Sequence, residues 1–218
     1  GSVEGRRCEC LTKLLDKYLT EEINKNCLIK LNDFDDFSLD YYDKIPNGKI
    51  STYDGMKMIY EYCRNYVDNF SNDSPSLFFI GQTGLGKTFL SSCIAKALIE
   101  KNVNVVFGSV IDFIRKVENE HFRQESGNTL EILVNADIVI LDDLGSEFMN
   151  TFTESVIYEI INSRINQQKP TIISTNLTLP QLGDKYNDRI VSRLTGCFKP
   201  IGFFGSDIRQ KKRLENLE

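Results

Sequence analysis

The sequence predicts an α/β fold, a mostly parallel central sheet flanked by helices. Short apolar runs recur at 77–80, 103–107, 138–141 and 171–174, and a last strand is expected near 198–203. The first four are continuous rather than alternating, the texture of strands buried on both faces. Helical spacing fills the intervals at 87–101, 110–118 and 154–167. Strand–helix alternation of this kind calls for parallel neighbours joined by helical crossovers. With 218 residues the chain can bury one sizeable core and carry at most an appendage.

Ahead of the sheet the order is as follows. Gly1-Ser2, with no initiator Met, reads as a cloning scar, and Cys8-Glu9-Cys10 follows it. Leu11, Leu14, Leu15, Tyr18, Leu19 and Ile23 carry helical spacing. Residues 1–31 are therefore separated from a main domain over 32–218. A loop at 32–42 is rich in Asp and in the aromatics Phe34, Phe37, Tyr41 and Tyr42, and Pro46-Asn47-Gly48 marks a turn. Residues 52–70 return to helix, with Tyr53, Met56, Ile59, Tyr60, Cys63 and Val67 on one stripe, before a polar break at 71–76.

Lys plus Arg number 26 and Asp plus Glu 31, a formal net charge of -5. That excludes a wholesale basic nucleic-acid coat and leaves a local basic patch open. No apolar run approaches the roughly 18 residues of a membrane span, so no membrane partner is expected. The six cysteines (Cys8, Cys10, Cys27, Cys63, Cys93, Cys197) lack framework spacing beyond the first pair and read as reduced thiols of a cytoplasmic protein.

The sharpest motif is Gly81-Gln82-Thr83-Gly84-Leu85-Gly86-Lys87-Thr88, a G-x-x-x-x-G-K-[ST] loop between an expected strand and an expected helix. Its glycines let backbone N–H groups turn inward on a phosphate, and the helix N-terminus adds partial positive charge. Thr83, Gly84, Leu85, Gly86, Lys87, Thr88 and Phe89 are the expected nucleotide contacts. Lys87 would reach the β/γ-phosphates, and the Thr88 hydroxyl would ligate Mg²⁺.

The run 138–141 ends in Asp142-Asp143, which places two acids at the C-terminal sheet edge, where α/β ligands bind. Asp142 would hold Mg²⁺, and Asp143 would polarise the attacking water as general base. A third strand ends in Ser174-Thr175-Asn176; the Asn176 amide suits a water or a γ-phosphate, and equally suits ordinary turn chemistry. Arg189 and Arg193 share one helix face at i and i+4. They fit a solvated basic face, or an arginine finger reaching a neighbouring subunit's nucleotide. Arg209 is a further candidate cation for the γ-phosphate.

This ordered set resembles the AAA+ ATPases: Walker A at 81–88, Walker B at 138–143, sensor 1 at Asn176 and a box VII arginine at Arg193. More narrowly it is similar to the DnaC/DnaI replicative helicase loaders and the related IstB transposition ATPases. That match rests on Asp142-Asp143-Leu144-Gly145, on Ser174-Thr175-Asn176-Leu177, on 189–194 and on Phe203-Phe204-Gly205-Ser206-Asp207-Ile208-Arg209. The likeness runs over about residues 32 to 212. It implies a P-loop NTPase with a reduced or absent C-terminal lid, and a sensor 2 arginine at Arg209. It also implies ATP hydrolysed to ADP at subunit interfaces with Mg²⁺, self-association, single-stranded DNA, and a hexameric replicative DNA helicase as partner.

Two departures stand out. The family's usual Walker B acid is Glu, and Asp143 is one methylene shorter, which suits slow turnover or a nucleotide-gated binding module. Cys8-Glu9-Cys10 resembles half of the loaders' N-terminal zinc module, and one such pair cannot complete a tetrahedral site, so no zinc is expected and residues 1–10 are expected to be loosely ordered. In the family the segment after the second strand faces single-stranded DNA. Here it holds Phe113, Arg115, Lys116, His121, Phe122 and Arg123, which suit phosphate contact and base stacking. A plain amphipathic helix with Ile111, Ile114 and Val117 inward fits equally well. The aromatics of 32–42 stand where such proteins hold adenine, and packing against the core is the alternative.

Overall fold

Each expected apolar run becomes a strand: β1 (Leu77–Ile80), β2 (Val105–Ser109), β3 (Ile138–Leu144), β4 (Thr171–Thr175) and β5 (Lys199–Gly202). They form one sheet in the order β2-β3-β4-β1-β5, and every pair is parallel. The computed structural model describes residues 29–46, 50–122 and 127–215, together with Tyr18, Thr20, Glu21 and Asn24. The expected Cys8–Cys10 module, the loose order of residues 1–10, most of the 11–31 helix, and Asn47-Gly48 of the turn lie outside the described residues. Among the described residues no helix is long and apolar enough to cross a membrane, and Cys63, Cys93 and Cys197 are free thiols.

Side-chain alternation along the strands splits the core in two. Leu77, Phe79, Val105, Phe107, Ile138, Ile140 and Ile172 face α1 (Thr52–Asp68) and α2 (Lys87–Glu100), meeting Met56, Ile59, Cys63, Leu90, Ile94 and Leu98. Phe78, Val106, Val139, Leu141 and Ile173 face the opposite layer, α3 (Val110–Phe122), α4 (Thr129–Asn135), α5 (Thr151–Asn166), α6 (Leu179–Lys185) and α7 (Asp188–Cys197). Full burial of such side chains contributes about 1.5–3 kcal/mol each, and this two-sided burial explains the continuous apolar runs. A last helix, α8 (Ile208–Glu215), follows β5.

Local chemistry sets the boundaries. Ser51 caps α1 by accepting the Asp54 N–H at 3.0 Å. Strand β2 starts two residues later than its apolar run because α2 takes up the first of them. Val103 N–H donates to Leu98 O and Asn102 N–H to Ile99 O, with Asn102 at φ 60, a Schellman ending. Helix α5 ends the same way, through Lys169 N–H to Arg164 O and Gln168 N–H to Ile165 O, with Gln168 at φ 55 and Pro170 just beyond. Below the sheet, Arg164 is fully buried. Its guanidinium donates to the carbonyls of Leu133, Val134, Ala136 and Pro170 and to Thr171 Oγ1.

Both outer edges of the sheet carry particular partners. On β2, Asn24 Nδ2 donates to Val105 O at 2.7 Å, and Phe107 N–H donates to Asn24 Oδ1 at 3.1 Å. On β5, Lys199 and Phe203 donate inward to Ser76 O and Ile80 O, so Pro200 between them faces outward.

Candidate functional site

The loop between β1 and α2 curls because Gly84 and Gly86 take φ 80 and φ 93, the left-handed region that favours glycine. A Cβ on Gly84 would lie 1.9 Å from Asp207 Oδ1, so the stretch leading into α8 rests directly on this loop. Ile208 N–H also donates to Gly84 O at 3.0 Å. Lys87 is only 7% exposed, and its ammonium donates to Gly81 O at 2.5 Å and Gln82 O at 2.7 Å. Burial pulls its pKa down; Asp142 and Asp143 pull it back up, and Arg209 pushes it down again.

At the end of β3 the pairing with β4 slips between Leu141 and Leu144, and Asp143 takes φ 59. This bulge sits where two successive acids meet the cavity. Asp142, 4% exposed, accepts from Thr88 Oγ1 at 2.8 Å and from Ser174 Oγ at 2.6 Å. Ser174 Oγ in turn accepts the Asp143 N–H at 2.9 Å, so one hydroxyl links both acids. Burial raises the Asp142 pKa and the Asp143 charge adds to it; the hydrogen bonds from Ser174 and Thr88, and then Lys87, act against them. A hydroxyl beside a carboxylate is a hard-oxygen donor set, and it fits Mg²⁺.

These groups line one cavity of about 500 Å³. Thr83, Gly84, Leu85, Gly86, Lys87, Thr88, Phe89, Asp142, Asp143, Asn176 and Arg209 all border it. Arg193 does not. Its Nε donates to Asn162 Oδ1 at 2.8 Å, its Nη2 to Tyr158 Oη at 3.0 Å, and its guanidinium lies 4.7 Å from the Tyr158 ring. The arginine is thus held against α5 rather than on an open solvated face.

The aromatic loop divides between the two roles left open for it. Phe37 and Tyr41 border the cavity. Phe34 packs edge-on against Tyr60, while Tyr42 is buried and its hydroxyl donates to Leu85 O at 3.0 Å. In α3 one expectation needs correction. Phe113 is 2% exposed and packs in the core, so it cannot stack on a base. Arg115, His121 and Phe122 are exposed and Lys116 half-buried, with His121 against Phe122 and Phe152. Arg123 lies outside the described residues.

Ile29, Lys30 and Asn32 also border the cavity and carry no motif of their own; Ser174 and Ile208, which lie within the stretches 174–177 and 203–209, border it too. Two of them have a signal within reach: Ser174 stands two residues before Asn176 on a strand ending at the site, and Ile208 stands next to Arg209.

Comparison with known proteins adds family and fold. A family model described as IstB-like ATP binding protein matches residues 19–213. The replicative helicase loader DnaI of Bacillus subtilis (strain 168) is 29% identical over 162 residues, covering 68% of this chain and 51% of that protein. The replicative helicase loader DnaC of Escherichia coli (strain K12) is 26% identical over 135 residues, 60% of this chain and 54% of that protein. The chain thus spans about half the length of these curated relatives. A crystal structure of the DnaC helicase loader matches with a TM-score of 0.62 and 27% identity, over 78% of this chain and 98% of that one. The replication initiator DnaA bound to AMPPCP and single-stranded DNA shares the fold, with a TM-score of 0.63 at 23% identity over 86% of this chain and 55% of that one.

Proposed function

The chain belongs to the IstB-like ATP binding protein family and has the fold of the AAA+ P-loop ATPases, and from that membership we propose that it hydrolyses ATP as a loader of a hexameric replicative DNA helicase. The observation that carries this reading is the single cavity in which the phosphate loop, Asp142, Asp143, Asn176 and Arg209 meet. The relatives that bear the name replicative helicase loader support the partner class.

In this reading backbone N–H groups of the 82–86 loop cradle the phosphates, while the Gly81 N–H stays on Thr175 O. The Lys87 ammonium exchanges its two loop carbonyls for β/γ-phosphate oxygens, a trade of neutral acceptors for charged ones. Thr88 and Asp142 would hold Mg²⁺, which when bound neutralises charge on the phosphates. Asp143 accepts the proton of the attacking water, Asn176 orients that water, and Arg209 faces the γ-phosphoryl charge. Phe37 and Tyr41 offer aromatic surface to the base. Arg193 leaves Tyr158 and Asn162 to complete the site of a neighbouring protomer. The exposed Arg115, His121 and Phe122 with Lys116 contact single-stranded DNA. The ATPase unit is assigned to residues 32–218, and the bordering Ile29 and Lys30 support extending it backwards.

The test is steady-state ATP turnover with and without a single-stranded oligonucleotide, with duplex DNA as control. We expect turnover that responds to the single strand alone. Nucleotide binding with no turnover in any condition would replace this reading by that of a nucleotide-gated module, which the short reach of Asp143 favours. Absence of nucleotide binding would overturn both.

A further inference from the structure

Beyond the bulge in β3 the chain turns through residues 143–147, and the partners of this turn come from three separate places. Asp143 N–H goes to Ser174 Oγ, and Ser146 N–H returns to Asp143 O at 3.1 Å. Gly145 N–H donates to Glu147 Oε2 at 2.9 Å. Lys185 Nζ, at the end of α6, donates to Gly145 O at 2.6 Å and to Glu147 O at 2.8 Å. Gly145 itself takes φ 110, and a Cβ there would meet Leu177 Cδ1 at 2.6 Å. The turn therefore has little freedom to settle elsewhere.

Its far end is a buried acid. Glu147 is 3% exposed, its Oε1 accepts the Tyr186 phenol proton, and Lys185 Nζ lies 3.8 Å away. Burial, with the adjacent Glu147 charge, holds the Tyr186 phenol protonated well above its ordinary range, so it remains a donor. Taking a carboxylate out of water costs several kcal/mol unless its oxygens are matched. Here two donors and a cation match them, and one of those donors is the backbone of the turn that presents Asp143. An apolar side chain at 147 would leave the Gly145 N–H without this acceptor.

Resting on the reading of Asp143 as the proton acceptor, we propose that Glu147 is a positioning residue that fixes where the Asp143 carboxylate stands, with Tyr186 and Lys185 tying that setting to α6. The same neighbourhood is joined to the sensor strand: Thr175 Oγ1 donates to Leu144 O at 2.6 Å, and Leu177 N–H donates to Thr175 Oγ1 at 3.1 Å. A shift of Asn176 or of α6 is thereby passed to Asp143 through hydrogen bonds rather than through the phosphate loop.

The experiment measures ATP turnover, with and without a single-stranded oligonucleotide, and affinity for a fluorescent ADP analogue. The proteins are wild type, Asp143→Asn, Glu147→Ala, Glu147→Gln, Tyr186→Phe and the Asp143→Asn/Glu147→Ala pair. Glu147→Ala should lower turnover about 10²-fold, the scale of a small misplacement of a reacting group, with ADP-analogue affinity unchanged. Glu147→Gln should stay near wild type, because its amide oxygen accepts the Gly145 N–H while its NH₂ donates to the Tyr186 oxygen. In the pair, Glu147→Ala should add nothing to Asp143→Asn, the mark of two residues acting as one unit. Wild-type turnover in Glu147→Ala, or a full additional loss in the pair, overturns the proposal. Should Glu147→Ala not fold, Tyr186→Phe decides: a several-fold fall in turnover at unchanged affinity supports it, and wild-type turnover overturns it. Asp143→Asn turning over as wild type removes Asp143 as the base, and no turnover in wild type removes both ideas together. Loss in Asp143→Asn with Glu147→Ala intact removes only the role of Glu147.

Discussion

Two buried cations sit at opposite ends of the sheet, Arg164 beneath the starting ends of β3 and β4 and Lys87 above the finishing end of β1. Both are held by backbone carbonyls. Arg164 uses every guanidinium nitrogen on a fixed acceptor, is fully buried, and keeps its charge at neutral pH although burial pulls its pKa down to about 9. Lys87 holds only two loop carbonyls and borders a cavity of about 500 Å³ together with two carboxylates. Burial of a charge is thus no mark of function in this chain. What separates the two ends is whether the acceptors can be exchanged. Arg164 closes the bottom of the sheet, and Lys87 holds its partners where a ligand can replace them.

The comparison is broken most directly at Arg164. Arg164→Ala leaves buried carbonyls without a donor, at about 1–3 kcal/mol for each such group. The melting transition should register a loss of at least about 3 kcal/mol, with nucleotide affinity of the folded fraction unchanged. A variant as stable as wild type would mean that Arg164 does not hold that end. Lys87→Ala should do the reverse: ATP affinity falls about 10²-fold by titration, while melting without nucleotide stays level or rises, because a desolvated charge is gone. The smallest expected effect is at Asp142. Its folded pKa lies above the ordinary 3.8, so the folded state binds more protons, and stability falls as pH rises through that raised value. Asp142→Asn should therefore melt higher than wild type at neutral pH, by a few degrees at most, with the gap closing below pH 3.8. It should also lose any stabilisation by Mg²⁺.

Sequence and structure agree most closely where a side chain's role is local. The phosphate loop acts on neighbours a few residues away, Lys87 donating to Gly81 O and Gln82 O, and spacing reveals such neighbours; Asp142-Asp143 is legible as the end of an apolar run, although its partners Thr88 and Ser174 are distant in sequence. Glu147 was invisible because its partner Tyr186 is brought beside it only when α6 packs after β4. Ile29, Lys30 and Asn32 reach the cavity through a loop with no periodicity. Arg193 stood out as a cation, and its docking on Tyr158 and Asn162 depended on how α7 crosses α5. Helix α4 carries no signal for another reason: seven residues are too few for a stripe to repeat.

Asn24 and Pro200 have a consequence for how copies of this molecule meet. An open parallel sheet offers two rows of bare peptide groups, and such rows template further strands and lead to aggregation. On β2, the Asn24 carboxamide imitates a peptide unit, giving its N–H to Val105 and its C=O to Phe107. On β5, Pro200 faces outward and has no N–H to offer. At these two positions the sheet cannot be extended by strand addition. Any contact between copies is left there to side-chain surfaces, which part more readily than a shared sheet.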